Sequence, residues 1–335
     1  MKVLLYFEGE SMIANSGIGR ALKHQQQALS AVNVKWTCDP FCKDYDILHI
    51  NTVGPNSLRM IKQARERGCK VIYHAHSTEE DFRNSFVFSN QIAPVFKKHL
   101  VSLYSQADCI ITPTPYSKHL LEGYGITLPI HAVSNGIDML RFKYDAEKVK
   151  AFRKYFSLTD NDKVVLCVGL FFERKGILDF VEIARRLPQY KFIWFGAIQP
   201  FMIPSNVREV VKEKHPSNVI FPGYIKGAII EGAFCGSDVF FFPSYEETEG
   251  IVVLEALASS QEVIVRDIGV YNEWLFDGIN CYKGHINDEF VQLIQGVVEK
   301  QLPSVCLQGV ETAKQRSIDV IGKQLKEVYE SVLRL

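Results

Sequence analysis

Two glutamates stand eight positions apart in the segment PSYEETEGIVVLEALAS, residues 243–259. Glu247 follows an apolar run and a proline, so we expect it in a loop after a strand, whereas Glu255 falls about one turn inside a helix that begins near Gly250 and Ile251. The first turn of a helix offers unpaired N–H groups and a positive dipole end to an anion. A diphosphate could bind there while the carboxylates accept hydrogen bonds from sugar or ribose hydroxyls. A solvated acidic loop before an amphipathic helix is the alternative.

A second group of charged residues lies in VGLFFERKGI, residues 168–177, where the first strand of the second half of the chain should meet a helix. Arg174 and Lys175 stand directly before a glycine, a position from which long cationic side chains can reach phosphate groups. They would stabilise the negative charge that develops on a departing phosphate. A basic loop tip balanced by Glu173 explains the same spacing.

Two glycines, Gly17 and Gly19, occur in SGIGRALKHQ, residues 16–25. The spacing does not match a dinucleotide-binding fingerprint, because Leu22 stands where the third glycine belongs. We expect a glycine-rich loop that opens a helix and lets the backbone approach a substrate closely. A flexible turn is the alternative.

Two histidines leave a predicted strand in VIYHAHSTEEDFRNS, residues 71–85. His74 and His76 would point to the same side of that strand and could bind a metal, but no third or fourth ligand is evident in the sequence. We expect His74 to be a core histidine whose hydrogen bonds are satisfied.

The elements that must position these residues alternate between short β-rich runs and helical stretches, which is the rhythm of a doubly wound parallel sheet. The series restarts after the polar stretch of residues 135–162. We therefore predict a first domain at 1–145, a second at 146–309 and a terminal amphipathic helix at 310–335 that packs on the second domain. The predicted strands are Lys2 to Phe7, Ile47 to Ile50, Val71 to His74, Cys109 to Thr112, Val164 to Val168, Phe192 to Phe195, Val219 to Phe221, Val239 to Phe242 and Glu262 to Val265.

Composition narrows the classes of function. The 38 lysines and arginines balance 38 aspartates and glutamates, so no global basic field is available to hold nucleic acid, and we expect no such partner. The opening MKVLLYFEGE turns acidic within eight residues, which favours a first strand over a signal peptide. No apolar run approaches the roughly 20 residues that span a bilayer, so we expect a cytoplasmic protein, or one attached peripherally to the inner face of the cell membrane.

The segment with Glu247 and Glu255 resembles the E-x7-E signature of glycosyltransferase family 4, although Glu249 precedes Gly250 where the family often has phenylalanine. The resemblance implies an α/β fold of the GT-B type, in which two Rossmann-like doubly wound parallel-sheet domains face a central cleft. The first domain would bind the acceptor and the second the nucleotide sugar. Glu247 would bind the donor sugar and Glu255 the ribose.

The resemblance extends to three other segments. Family members carry an arginine just after the first glycine of the VGLFFERKGI segment and a lysine before the second. Lys175 matches that lysine, while Leu170 follows Gly169 in the arginine position, and we predict that Arg174 supplies the missing cation. His76 matches a histidine that contacts the donor sugar. The stretch SNGIDMLRF, residues 134–142, is similar to the segment that closes the first domain of the family.

The resemblance also implies a reaction, in which a hexose moves with retention of configuration from UDP-glucose or UDP-galactose to an acceptor, with no metal or other cofactor. The strings SGIGRALKHQ, HAHSTEEDFRNSF and GLFFERKGI are similar to the bacterial diglycosyl-diacylglycerol synthases, which implies a glycolipid acceptor, monoglucosyl-diacylglycerol. The alternatives are a polysaccharide transferase with a soluble or polyprenyl-linked acceptor, and a nucleotide-sugar epimerase. A Rossmann oxidoreductase and a non-catalytic sugar-binding protein are more distant rivals.

A predicted helix at residues 92–107 bears on the acceptor. It places Phe96, Leu100 and Leu103 on one face with Lys97 and Lys98 beside them, a pattern that suggests contact with an anionic membrane surface. A helix that turns this face to the core, with a solvated basic edge, gives the same pattern.

Overall fold

The chain forms two compact units, and the computed structural model describes its residues 1–9 and 16–334. Unit 1 contains residues 1–82, 90–137 and 316–335, and unit 2 contains residues 83–89 and 138–315. The division therefore lies at residues 137 and 315, whereas the sequence suggested limits at 145 and 309.

Unit 1 is built on a parallel sheet with the strand order β2-β1-β3-β4-β5-β6. Its strands are β1 (Lys2–Tyr6), β2 (Lys35–Thr37), β3 (Ile47–Ile50), β4 (Lys70–His74), β5 (Cys109–Thr112) and β6 (Ile130–Ala132). The helices associated with it are α1 (Gly17–Ala31), α2 (Ser57–Glu66), α3 (Glu79–Phe82), α4 (Ser89–Tyr104), α5 (Pro115–Gly123) and α13 (Ile318–Leu333).

Unit 2 is built on a second parallel sheet, with the order β12-β11-β10-β7-β8-β9. Its strands are β7 (Val164–Val168), β8 (Lys191–Phe195), β9 (Val219–Gly223), β10 (Val239–Phe242), β11 (Val263–Arg266) and β12 (Tyr282–Gly284). Its helices are α6 (Ala146–Tyr155), α7 (Ile177–Arg186), α8 (Ser205–Lys212), α9 (Ala228–Gly236), α10 (Ile251–Ala258), α11 (Asn287–Val298) and α12 (Cys306–Lys314). Three 3₁₀ turns lie at Glu173–Lys175, Pro200–Met202 and Gly269–Tyr271.

The central strands of both sheets are continuous apolar runs. Every residue of β3, β5, β7 and β10 is buried, as expected for parallel strands that are covered by helices on both faces. All nine predicted strands are confirmed. The three strands that the sequence did not reveal, β2, β6 and β12, have three residues each and lie at sheet edges.

The terminal segment corrects one prediction. It contains two helices, α12 and α13, and α13 packs on the first unit instead of the second, with Ile321, Leu325 and Val328 in the same hydrophobic cluster as strands β1 and β3. Gly322 allows a close approach to α1, because a Cβ atom placed on it would lie 2.4 Å from the carbonyl oxygen of Ala28.

The apolar face of helix α4 could contact a membrane surface or pack in the core, and the structure shows which. Leu100 and Leu103 are fully buried, and Phe96 packs against the same cluster, so this face belongs to the core, as the core-facing alternative predicted, and it is not a membrane-contacting face. The exposed apolar side chains of α4 are Ile92 and Val95. Within the described residues, no helix is both long enough and apolar enough to cross a membrane.

Candidate functional site

The carboxyl ends of β7 and β10 lie side by side, at the point where the strand order of the unit 2 sheet reverses. Ligands of open α/β sheets bind outside the carboxyl ends of strands at such a switch point. The loops that follow these strands span residues 169–176 and 243–250, and they carry the predicted Lys175 and Glu247. The fold therefore brings together two motifs that stand more than seventy positions apart in the sequence.

Gly176 joins the two loops. Its φ angle of 76° lies in the left-handed region, and a Cβ atom placed on it would be 2.4 Å from the carbonyl oxygen of Pro243. Glycine is required on both counts. The contact holds Lys175, the last residue of the 3₁₀ turn, beside the loop that carries Glu247. At the start of the same loop, Gly169 is fixed by a hydrogen bond of 2.8 Å from the indole of Trp194 to its carbonyl oxygen.

A compact charge cluster forms around Glu247. Its Oε1 accepts hydrogen bonds from Nζ of Lys175 and, at 2.7 Å, from Oγ of Ser244, and Nη1 of Arg174 lies 3.8 Å away. Burial alone would raise the pKa of the Glu247 carboxyl, but the charges of Lys175 and Arg174 outweigh it and hold that pKa below its ordinary value. The carboxylate is therefore ionised at neutral pH although only 8% of its side chain is exposed.

Arg174 is held in place by contacts within unit 2. Its Nε donates to Oγ of Ser85 at 2.8 Å, and its Nη1 donates to the carbonyl oxygen of Glu246 at 2.8 Å. Its guanidinium thus lies next to Glu247. The resemblance led us to expect a cation at position 170, which Leu170 occupies. That Arg174 supplies the cation missing at position 170 stays a prediction.

Helix α10 begins where the sequence placed it. Gly250 precedes it with a φ angle of 88°, Ile251 is its first residue, and Glu255 lies in its second turn with 1% of its surface exposed. Glu249, which stands in place of the expected phenylalanine, is also buried, so the loop keeps a carboxylate out of water at this position. The proposed contacts of these residues with ribose and phosphate stay predictions.

The two glycines near the amino terminus lie in unit 1. Gly17 and Gly19 form the first turn of α1 instead of the predicted loop, because Ser16 caps the helix and its Oγ accepts a hydrogen bond of 3.4 Å from the N–H of Gly19. Among residues 1–9 and 16–334, nothing lies within 4 Å of a Cβ atom placed on Gly17. The part of the predicted loop at residues 10–15 lies outside the described residues.

His74 and His76 are buried at the carboxyl end of β4, with stacked rings whose centroids are 4.0 Å apart. Burial lowers the pKa of His76 to about 3 and holds the pKa of His74 well below its ordinary value, so both rings are neutral. Nε2 of His74 has no hydrogen-bond partner in the described part of the chain, so the expected full satisfaction of this histidine is wrong. Across residues 1–9 and 16–334, no group of three or more potential ligand side chains is placed to hold a metal ion.

Comparison with known proteins places this chain in a family. Residues 25–141 match the family model described as Glycosyltransferase Family 4, and residues 148–316 match Glycosyl transferases group 1. The processive diacylglycerol alpha-glucosyltransferase of Acholeplasma laidlawii is 49% identical to this chain, over 100% of this chain and 99% of the relative. The chain belongs to glycosyltransferase family 4.

More distant relatives agree with this assignment. The alpha-galactosylglucosyldiacylglycerol synthase of Streptococcus pneumoniae is 24% identical over 85% of this family 4 chain and 76% of its own length. The crystal structure of Anabaena HepE in complex with UDP and glucose superimposes with a TM-score of 0.78, at 17% identity, over 99% of this chain and 100% of that one. Sucrose-phosphate synthase from Thermosynechococcus elongatus gives a TM-score of 0.80, at 16% identity, over 100% and 99% of the two chains. The fold is GT-B.

Two residues of the candidate site were not found from the sequence. Ser244 follows β10 and donates to Glu247, and Arg266, at the carboxyl end of β11, donates from Nε to the carbonyl oxygen of Pro243 at 3.1 Å. The guanidinium of Arg266 also stacks on Tyr245, 3.8 Å from the ring centroid. A single charged residue at the end of the apolar strand VIVR was the available signal for Arg266.

Proposed function

We propose that this glycosyltransferase transfers glucose from UDP-glucose to monoglucosyl-diacylglycerol. One observation carries the proposal, namely the 49% identity, over the full length of both chains, to an enzyme named processive diacylglycerol alpha-glucosyltransferase. The nucleotide is supported by the likeness in fold to HepE, whose structures contain UDP, glucose and UDP-glucose. UDP-galactose is the second candidate donor, because the pneumococcal relative is named a galactosylglucosyldiacylglycerol synthase.

The proposed reaction retains the configuration of the transferred sugar. The bond between C1 of glucose and the diphosphate oxygen breaks, and the acceptor hydroxyl attacks C1 from the same face. The departing phosphate accepts the proton of that hydroxyl. Lys175 and Arg174 stabilise the charge that grows on the diphosphate, as preorganised cations do in a site with little water.

The other site residues bind substrate in this proposal. Glu247 accepts hydrogen bonds from hydroxyls of the donor sugar, and Glu255 accepts them from the ribose. The N–H groups at Gly250 and Ile251 face the diphosphate, because the first N–H groups of a helix have no partner within it. His76 contacts the sugar, and the backbone at Gly17, Gly19 and Gly169 lies close to the substrates.

The test is nucleotide release from UDP-glucose and UDP-galactose, with and without monoglucosyl-diacylglycerol in mixed micelles. We expect release only with UDP-glucose and only when the lipid is present, and its loss in Glu247→Ala. Release that does not require any lipid would contradict the proposal and favour the epimerase. Transfer to a soluble or polyprenyl-linked acceptor in place of the glycolipid would favour the polysaccharide transferase.

We propose further that the reaction needs no metal ion, since Lys175 and Arg174 supply positive charge beside Glu247. Turnover should persist in excess EDTA at the rate measured without it. Complete loss of turnover in EDTA, restored by a divalent cation, would refute this part of the proposal.

A lipid acceptor requires contact with a membrane, and we propose peripheral attachment to the cytoplasmic face through the exposed side of α4. Val95 is 66% exposed and Ile92 is 45% exposed, and the exposed Lys98 lies on the same helix. The double variant Ile92→Ser, Val95→Ser should sediment less with vesicles that contain anionic lipid. A matched variant, Leu307→Ser, removes an apolar side chain that is 74% exposed in unit 2 and should sediment as the wild type does. Equal sedimentation of all three proteins would exclude this surface.

A further inference from the structure

A chain of buried polar side chains runs through unit 1 behind His76. Oη of Tyr329 lies 2.7 Å from Nδ1 of His49, and Nε2 of the same ring lies 3.2 Å from Nε2 of Gln25. Oε1 of Gln25 accepts from Nδ2 of Asn51 at 3.0 Å, and Oδ1 of Asn51 lies 3.1 Å from Nε2 of His76. All five residues are at most 8% exposed. The series therefore links helix α13 to the ring at the end of β4 without passing through water.

The two amides in this series fix each other's direction. In the structure the NH₂ group of Asn51 faces the carbonyl oxygen of Gln25, and the carbonyl oxygen of Asn51 faces His76. An amide oxygen can only accept a hydrogen bond. With the amides in this direction, Nε2 of His76 carries the hydrogen, and in a neutral ring Nδ1 then holds a free lone pair.

The neighbouring rings fix the plane of His76. Its ring stacks on His74 with an angle of 9° between the planes, and His74 stacks on His49 with centroids 5.3 Å apart. Stacking alone would still allow the ring to flip by half a turn within its plane. The hydrogen bond from Nε2 to Asn51 prevents this flip. Among the described residues no hydrogen bond is made by Nδ1 of His76, so this atom is available to a ligand.

We propose that Asn51 is a positioning residue, which holds His76 as the Nε2–H tautomer and thereby presents Nδ1 as an acceptor for a sugar hydroxyl. The inference rests on the proposed contact of His76 with the sugar substrate. Burial, which keeps the ring neutral, supports it, because a protonated ring would have no acceptor. The site would then discriminate in favour of a hydroxyl, which can donate, over a group that can only accept.

The tautomer can be measured directly by NMR on the full chain labelled with ¹⁵N in histidine alone, through correlations between ring nitrogens and ring protons. The signals of His76 are identified by their loss in His76→Gln. We expect a single Nε2–H tautomer in the wild type, and the same tautomer in Asn51→Asp, whose carboxylate still accepts from Nε2–H. In Asn51→Leu we expect a mixture of tautomers or the Nδ1–H form.

Asn218→Leu is the matched control. Asn218 is buried, as Asn51 is, but it lies in unit 2 and donates to the carbonyl oxygens of Ala184, Leu187 and Tyr190. Its loss should destabilise the protein without changing the tautomer of His76. An Nδ1–H form or a mixture in the wild type overturns the inference, even if Asn51→Leu cannot be folded, and so does an unchanged tautomer in a folded Asn51→Leu.

Kinetics provide a second readout. Asn51→Leu should raise KM for the UDP-sugar by about ten-fold, which corresponds to the loss of roughly one hydrogen bond to the sugar, and Asn51→Asp should recover most of this loss. An equal KM in wild type and Asn51→Leu would overturn the inference. The NMR measurement needs no turnover, so failure of the inference is distinguishable from failure of the proposed function, which would appear as a wild-type enzyme that transfers no glucose.

Discussion

At the scale of single residues, Glu247 explains why the two loops of unit 2 form one site. A buried carboxylate is costly unless cations and hydrogen-bond donors surround it. Lys175, Arg174 and Ser244 provide these partners, and each of the two cations would in turn be costly without the carboxylate. The cluster is therefore stable as a unit and keeps the cationic head group of Lys175 beside the carboxylate of Glu247.

Lys175→Met should lower kcat by about 10²- to 10³-fold, because it removes a cation that, in the proposed reaction, stabilises charge on the departing diphosphate. Lys163→Met is the matched control, since Lys163 also pairs with a carboxylate, that of Asp238 at 2.9 Å, but stands before β7 instead of after it. Steady-state nucleotide release measures both variants. A kcat within three-fold of wild type in a folded Lys175→Met would contradict the role given to this residue.

The lowered pKa of Glu247 makes its contribution to stability depend on pH. The contribution is complete above the unfolded pKa of 4.5 and is lost as the pH falls through the lower pKa of the folded state. The difference in unfolding free energy between wild type and Glu247→Gln should therefore be largest above pH 5 and shrink below pH 4.5. Denaturant titrations at several pH values measure it. A difference that stays constant or grows in acid would show that Glu247 is not charged in the folded protein.

At the scale of elements, the positions of the loops depend on Gly176. Gly176→Ala should lower the unfolding free energy by about 1–3 kcal/mol and reduce kcat as well, since it strains the backbone and pushes the β7 loop away from Pro243. Gly278→Ala separates the two effects, because Gly278 also has a positive φ, 66°, but a Cβ atom there would meet nothing within 4 Å. We expect Gly278→Ala to lose stability alone. Equal kcat values in the two variants would contradict the argument from close approach.

The elements also show what local sequence can predict. Runs such as VVLCV and VFFF are apolar throughout and rich in β-branched or aromatic residues, so the buried central strands were evident. Strands β2, β6 and β12 are too short to produce a pattern, and they form because neighbouring strands offer an edge. The periodicity of α13 indicated that the helix has an apolar face. It could not indicate which unit covers that face, because the contact of Ile321 and Leu325 with the first sheet is long-range in sequence.

The residues of the candidate site also differ in whether the local sequence could predict them. Lys175 and Glu247 were found because strand, loop, glycine and helix follow one another in a short motif. The series from Tyr329 through His49, Gln25 and Asn51 to His76 was not found, since its members come from four separate places in the sequence. These residues come together in the fold because β3 pairs with β4 and because the terminal helix packs on α1.

At the scale of the whole molecule, three buried neutral histidines predict a loss of stability in mild acid. Burial lowers the pKa of His49 and His76 from 6.5 to about 3, and that of His74 also falls well below 6.5. Below pH 6.5 the unfolded chain binds protons that the folded chain does not, so stability falls as the pH is lowered towards 3. Each histidine should contribute a slope approaching about 1.4 kcal/mol per pH unit.

Unfolding titrations between pH 6 and pH 4.5 measure this slope. His49→Gln should reduce this slope by about 1.4 kcal/mol per pH unit, the contribution of one buried histidine. If the unfolding free energy were flat over this range in the wild type, the histidines would not be neutral in the folded protein.

The central claim, that this family 4 enzyme adds an α-linked glucose to a diacylglycerol glycolipid, is tested most directly by the product itself. UDP-glucose and monoglucosyl-diacylglycerol are incubated with the full chain, and the purified lipid is examined by ¹H NMR at the new anomeric position. We predict a diglucosyl lipid whose added sugar has the α configuration. A β-linked sugar would contradict the retaining mechanism, and a lipid recovered without a second sugar, beside UDP-glucose that has been consumed, would contradict the assignment of the acceptor.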